Sequence, residues 1–512
     1  MKRILSARAP VAAFLLMATA GCIPLAQEKT MTDSEKMPPT VLPQEEKMMT
    51  LSRTVDLNIG ETAAVTLSDN SQATVVLRSI SVKRDTIRSA VRAVEVSVEV
   101  NGTPAVILSA LYTLPATVGG VQIDCPVVKA YLASSRENPW AIEKDARLRL
   151  WPAGSPWIQP GSFAYPVRQR WFASDTQMAN EPVFVDGPEG TGRQNIYYHN
   201  GLDIGGAEGL VEVVSATDGV VITAGKDVWK DAPAGPKQPR YDKVMILDGR
   251  GWYHAYYHLQ SVDPSVRVGE KVKMGQVIGI LGKEGDSGGW SHLHYGITAM
   301  QPSGRWGTEE GYAFLWQAAV AEQSPKVIAV ARPHHLLAAG ETAALEGGKS
   351  WSASGGTLSY EWTFTDGTRA AGHTVSRRYD RPGEYSEILR VTDGQGNTAV
   401  DFAVVQVLDP TGPAPPAIHL AHHPTTGVKP NTPVTFKVRT FGAVSGRETI
   451  DYGDGSPPDI LASDGCANPL AKAGYAVTTH RFAAPGQYIV TARRTNEHGF
   501  EAMMRTCVRV EP

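Results

Sequence analysis

Cysteine is scarce in this chain, with four residues in 512. That excludes a small disulfide-stapled scaffold, and the absence of any Cys-x-x-Cys pair excludes a thiolate zinc knot. Charge of one sign is also lacking: 49 Lys and Arg stand against 52 Asp and Glu, a net of −3, without a basic run. Nucleic acid is therefore not an expected partner. Beyond the first twenty residues no apolar run reaches the roughly 20 residues that a membrane-spanning helix needs. There is no His-Glu-x-x-His, no P-loop and no dinucleotide fingerprint, which removes helix-borne zinc sites and nucleotide chemistry. Glycine (50) and proline (35) are plentiful instead, and valines recur at alternate positions. Such a chain predicts β-rich modules joined by turns, and its length predicts three or four of them.

The N-terminus reads as a leader. Lys2, Arg3 and Arg8 precede the apolar stretch Val11–Ala20. Ala18-Thr-Ala20 fits cleavage for ordinary secretion, whereas Ala20-Gly21-Cys22 resembles a bacterial lipobox, with Cys22 as the lipidated first residue. The lipobox reading gives an exported protein held at the cell envelope, on the outer membrane or cell surface, by a lipid anchor. Ordinary cleavage gives a secreted one. Residues 23–50 are polar and proline-bearing and read as a disordered tether. Fully stretched, it reaches about 90 Å.

Residues 51–150 alternate as strands do. Val94, Val96, Val98 and Val100 fall on one face, with Glu95 and Glu99 on the other. An N-terminal β domain without evident chemistry is expected there. Residues 155–320 hold further strand-like runs, a polar loop from Lys226 to Asp242, and a glycine-punctuated strand–turn–strand from Val268 to Gly282. Residues 325–410 and 413–512 repeat one pattern of strand, Asp-Gly turn, aromatic strand, Pro-Gly turn and strand. The first copy carries Tyr360-Glu-Trp362-Thr-Phe364, Asp366-Gly367, Pro382-Gly383-Glu-Tyr385 and Asp393-Gly394. The second carries Asp454-Gly455, His480-Arg-Phe482 and Pro485-Gly486-Gln-Tyr488. Both resemble the PKD family of Ig-like β-sandwiches, though the second lacks the Trp-x-Phe strand. Cys466 and Cys507 fall in the second copy, where a disulfide or two unpaired thiols are equally compatible with an exported chain.

Five of thirteen histidines lie between His199 and His294. They form His199-Asn-Gly-Leu-Asp203, a segment with His254 and His258, and His292-Leu-His294. On a strand, residues i and i+2 share a face, so His292 and His294 can enter one pocket. By the same rule His254, Tyr256 and His258 share a face, with His254 read as packing. Neutral imidazoles beside one carboxylate form a donor set that suits a catalytic zinc with an open position.

His-x-Gly-x-Asp, Tyr-x-His-Leu and Ser-Gly-x-x-His-Leu-His, in this order over about residues 190–300, resemble the lysostaphin/LytM-type zinc endopeptidases that cut peptidoglycan. The resemblance implies His199, Asp203 and His294 as ligands of one Zn2+ and His258 and His292 as the catalytic pair. It implies attack on a peptide bond of peptidoglycan stems or cross-links by zinc-activated water. The expected architecture is all-β: a lysostaphin/LytM-like antiparallel catalytic domain between an N-terminal β domain and two C-terminal sandwiches. Two other functions remain open: an envelope-anchored metalloprotease acting on extracellular polypeptides, and a non-catalytic activator of other wall hydrolases. The full set of five site residues argues against the last.

Three further features are expected to be structural or peripheral. Gly285-Asp-Ser287-Gly-Gly289 matches the nucleophile motif of chymotrypsin-like proteases but lacks their histidine context. The doublets His334-His335 and His422-His423 read as solvated turns. Tyr197, Tyr198, Tyr256 and Trp290 serve either as groove lining or as core. Tyr295-Gly296 departs from the more usual Phe-Glu of the family, which bears on the substrate admitted.

Overall fold

The computed structural model describes residues 48–184, except 134 and 136, and residues 196–512. The leader, Cys22 and nearly all of the tether lie outside the described residues. Among the described residues the chain is almost entirely β, with one α-helix, Tyr312–Gln323.

The alternation in the N-terminal segment produces two four-stranded antiparallel sheets. One runs in the order Thr62–Thr66, Gln72–Arg84, Val91–Val100, Thr103–Leu108. The other runs Arg53–Leu57, Ala146–Pro152, Val121–Val128, Ala116–Val118. Val94, Val96, Val98 and Val100 are all buried and share one core with Ile123, Leu148 and Leu150. This unit is keyed to the next by charge. The buried Arg149 guanidinium bonds Asp124 at 2.6 Å on its own sheet and Glu309 at 2.7 Å on the neighbouring one. A buried charge needs its partners: leaving one unpaired costs about 3–5 kcal/mol.

The middle unit is built on a nine-stranded sheet. Its main path runs Asp227–Val228, Gly219–Ala224, Val244–Asp248, Tyr253–Tyr257, His292–Met300, Leu202–Gly205, Thr176–Gln177. The long strand His292–Met300 is central, and antiparallel pairing sets Asp203 opposite His294 and Gly205 opposite His292. Lys271–Val272 and Val277–Leu281 supply the expected strand–turn–strand. The helix Tyr312–Gln323 is not evident from periodicity. From Tyr312 to Trp316 it is apolar on every side and buried, so no amphipathic period marks it. It packs Phe314 on Phe163 and Trp252, and Trp316 on Trp171.

Each C-terminal copy folds as a β-sandwich around its own core, the first on Trp362, Leu389 and Val391, the second on Phe436, Tyr452 and Phe482. They are not beads on a linker. Glu384 pairs in parallel with Ala502, so one nine-stranded sheet runs through both.

Two points of the sequence reading are settled here. Of the two alternatives left open for Cys466 and Cys507, the disulfide is not formed; both are free, buried thiols. Cys507 sits within the strand Glu501–Val510 opposite Ile489. Cys466 lies in a loop, with its sulfur 3.8 Å from the Gly288 carbonyl of the middle unit. The histidine doublets are not solvated turns either. His334 and His335 are half-buried, and His422 is 1% exposed within the strand Ala417–His423. Solvated positions became module junctions because the sandwiches pack on the middle unit.

That burial has a pH consequence. Burial, with help from Arg170 and His423, pushes the His422 imidazole down to about 3. A histidine with a depressed native value is protonated more readily in the unfolded chain, so stability falls as pH drops below about 6.5. Between pH 7 and 5 this one residue should cost about 2 kcal/mol. His422→Asn should therefore lose less melting temperature over that interval than the parent, as read by scanning calorimetry at both pH values. Equal losses would refute a buried neutral His422.

Candidate active site

The central strand and its two neighbours deliver the predicted ligands to one point. His199 ends the approach to Leu202–Gly205. Gly201 allows that approach with φ +79, where an added Cβ would sit 2.5 Å from the Tyr295 carbonyl oxygen. Asp203 Oδ1 lies 2.7 Å from His294 Nδ1 and 3.1 Å from His199 Nε2. The two imidazole nitrogens are 2.9 Å apart. These three residues are the one group of potential metal ligands of this kind among the described residues. Donors about 2.0–2.1 Å from a tetrahedral zinc would lie roughly 3.3 Å from one another. The observed separations of 2.7, 2.9 and 3.1 Å are somewhat shorter than that, so a small outward movement of the donors would seat a small ion. The tautomer fits as well. His199 Nδ1–H donates to the Met178 carbonyl (3.1 Å), which leaves Nε2 free for a ligand role.

Electrostatics prepare the same donors. Burial opposes the Asp203 charge, but His199, His292 and His294 overcome it and hold the carboxyl well below its usual range. Burial lowers His294 to about 4, against the pull of Asp203, so its ring is neutral at neutral pH. Burial also drives His292 well below its ordinary value, with His258 and His294 adding to the effect of burial while Asp203 opposes it.

His258 and His292 face each other, ring centres 4.6 Å apart. His292 shares its strand face with His294, as i, i+2 spacing requires. His258 reaches the site differently from the alternation rule. The strand ends at Tyr257, and His258 takes φ +65, a left-handed conformation that costs a non-glycine residue about 1–3 kcal/mol. Asp242 holds it there by accepting the His258 N–H at 3.0 Å. The turn removes His258 from the face of His254, which is fully buried between Asp248 (3.0 Å) and Tyr295 (2.7 Å) as a packed residue. His258 Nδ1 lies 2.7 Å from the Glu284 carbonyl and 3.2 Å from Arg240 Nη2. A carbonyl only accepts, so Nδ1 carries the proton and Arg240 contributes charge rather than a bond. The Trp290 carbonyl similarly holds His292 Nδ1–H at 3.1 Å. Both rings thus turn Nε2 towards chemistry.

Arg240 and Asp242 are site residues that no motif announced. They end the polar Lys226–Asp242 loop, where Arg240 grips Asp242 through two bonds of 2.5 and 2.6 Å. Their signal was the adjacent Arg-x-Asp spacing in an otherwise featureless loop. Of the aromatics, Tyr198 and Tyr256 are core, and the Tyr256 hydroxyl accepts the Ala216 N–H. Trp290 is buried and stacks on His292 with ring centres 3.9 Å apart. Ser287 is buried and donates to the Lys283 carbonyl, a turn bond rather than a nucleophile's geometry.

A family model for peptidase family M23 matches residues 197–304, and one for the PKD domain matches residues 323–407. Among solved structures, the chain is similar to the catalytic domain of the antimicrobial peptidase lysostaphin from Staphylococcus simulans. Identity is 21%, over 28% of this chain and 92% of that one, with a TM-score of 0.20. The antimicrobial peptidase lysostaphin from the same organism aligns at 15% identity over 47% of this chain and 92% of that one, TM-score 0.21. The fibronectin(III)-like modules of Clostridium thermocellum CbhA align at 14% identity over 36% and 94%, TM-score 0.14. The chain is thus a multidomain protein that carries a peptidase family M23 domain, with His199, Asp203, His258, His292 and His294 all inside it, followed by a PKD domain.

Proposed function

We propose that this protein is a zinc-dependent endopeptidase that hydrolyses peptide bonds in the stems or cross-links of peptidoglycan. The observation that carries the reading is the convergence of His199 Nε2, Asp203 Oδ1 and His294 Nδ1 beside two imidazoles with fixed tautomers. Zinc, when held by those three donors, supplies a Lewis acid that acidifies water and polarises a carbonyl. The chain's own residues do the rest. Asp203 gives the ligand set its negative charge. His258 and His292 present Nε2 atoms that orient water, take up its proton and return one to the leaving amine. Either ring, once protonated, can stabilise the developing oxyanion. Peptidoglycan is favoured as substrate by the three-motif resemblance to the lysostaphin/LytM type. In this reading the leader and Cys22 place the enzyme at the cell envelope on a lipid anchor.

Purified protein incubated with peptidoglycan sacculi should release new amino groups. Release should stop when chelator strips the metal and return when zinc is restored. Casein should be cut far more slowly. Release from casein alone would instead support an extracellular protease, and inactivity on both substrates with zinc present would end the enzymatic reading.

A further inference from the structure

The loop that feeds the central strand is not held by the middle unit alone. Its last residues before His292 are Gly288, Gly289, Trp290 and Ser291, and the terminal sandwich grips their backbone. Arg439 Nη1 donates to the Gly289 carbonyl at 2.5 Å. The Tyr475 hydroxyl oxygen accepts the Ser291 N–H at 2.7 Å. Gly289 has φ +93, and an added Cβ would meet Cys466 Sγ at 2.9 Å, Pro469 Cα at 2.9 Å and Arg439 Nη1 at 3.0 Å. Only glycine admits so close an approach. Between these grips, Trp290 is packed in a cluster with Ala417, Phe441 and Cys466 of the terminal sandwich. Its ring also stacks on His292, at an interplanar angle of 19°.

Both grips are themselves braced. Arg439 is fully buried and bidentate to Asp464 at 2.9 and 2.7 Å, and it also donates to the Asn468 and Pro469 carbonyls. Its fork is oriented before it meets Gly289. Tyr475 is oriented by a relay. Ser174 Oγ lies 3.1 Å from the Leu420 carbonyl, which can only accept, so the hydroxyl proton goes there. Ser174 must then accept from His419 Nε2–H, also at 3.1 Å. That leaves His419 Nδ1 as acceptor for the Tyr475 O–H at 2.8 Å. The phenol oxygen is left facing Ser291 N–H. Other bonds of this interface lie elsewhere, such as those from the Thr506 hydroxyl to the Ala173 carbonyl and from Arg170 to the Cys507 carbonyl. Two of its bonds, from Arg439 to Gly289 and from Ser291 to Tyr475, fall on either side of one tryptophan, within three residues of His292.

We propose that Arg439 and Tyr475 are positioning residues of the peptidase centre. The terminal sandwich completes the site by fixing Trp290, and Trp290 in turn fixes the His292 ring through stacking and its carbonyl. The inference rests on the peptidase reading only for its kinetic consequence; the placement of the ring is independent of it. The test uses the full chain and two variants. Tyr475→Phe keeps the aromatic ring and removes the oxygen that Ser291 needs. Arg439→Lys keeps the charge and removes the fork. Both should bind as much zinc as the parent and lower kcat on sacculi by about tenfold with KM unchanged, because a misdirected group weakens chemistry more than binding.

The second readout is the His292 imidazole resonance in metal-free protein labelled at histidine and assigned with His292→Gln. The Trp290 ring current should shift it in the parent, and Tyr475→Phe should move it. Arg439 is deeply buried, so if Arg439→Lys folds poorly, Tyr475→Phe decides alone. A Tyr475→Phe resonance unchanged from the parent overturns the proposal, whatever happens to the rate, as does a kcat within twofold of the parent's. A parent inactive on every substrate would end the peptidase reading, while the resonance would still decide whether the sandwich positions His292.

Discussion

Asp203→Ala is expected to strip the centre of metal and to lower peptide hydrolysis by about a thousandfold or more. Asp203 is the hub of the cluster. One oxygen touches His294 and His199, and the other lies 3.5 Å from His292 Nε2. It is the sole carboxylate in the ligand group. Without it, three imidazoles crowd a buried space with no negative charge to balance a dication. Metal analysis after dialysis should fall from about one zinc per chain, the complement of a single site, to a small fraction of one. Asp203→Asn keeps the shape and one acceptor oxygen, so it should retain weak binding and show that charge carries most of the effect. A fully metallated Asp203→Ala protein would refute the ligand assignment.

The reason this much was readable from sequence is local. The spacings within each motif, His292 and His294 two apart and His199 and Asp203 four apart across Gly201, are local, and the resemblance of the three motifs implied their roles; the meeting of Asp203 with His294 comes from the pairing of two strands distant in sequence. Local too is the valine face of Val94–Val100, which is buried as alternation requires. His254 and His258 mark where that logic stops. Alternation put them on one face, but a left-handed turn at His258, pinned by Asp242 sixteen residues earlier, separated them. Nothing in the Tyr-x-His-Leu motif encodes that pin.

The misread histidine doublet and the points left open have the same physical origin. His422 looked like a solvated turn because its immediate neighbours are polar or small. It is buried because its strand packs on the middle unit, with its Nδ1 3.2 Å from the Thr506 hydroxyl that donates to Ala173. Cys466 was as compatible with a free thiol as with a bridge to Cys507, and its sulfur faces the Gly288 loop. Trp290 was left open between groove and core, with core the commoner fate of such a residue, and it is core of an unusual kind, shared between the site and the terminal sandwich. Periodicity reports which residues leave water. It does not report which module they meet, and here that meeting shapes the surroundings of His292.

His258→Gln and His292→Gln should separate chemistry from metal binding. Neither residue belongs to the ligand triad, so each variant should keep its zinc while kcat falls about 10²–10⁴-fold, the usual range for removal of a general acid or base. The two losses should differ in character. His258 sits in a conformation that costs energy and is held by Asp242, Glu284 and the neighbouring Arg240. His258→Gln keeps the backbone N–H that Asp242 accepts and loses only the ring's bond to the Glu284 carbonyl, so the thermal midpoint should change little while activity is lost. His292 is stacked under Trp290 and is 2% exposed, so its replacement should lower the midpoint as well as the rate. If the two rings act as a pair on one water and one leaving amine, the double variant should be barely slower than the worse single variant, because removing either already breaks the proton path. Strictly multiplicative losses would mean that the rings serve separate steps, and a metal-free single variant would mean that the ligand set extends beyond His199, Asp203 and His294.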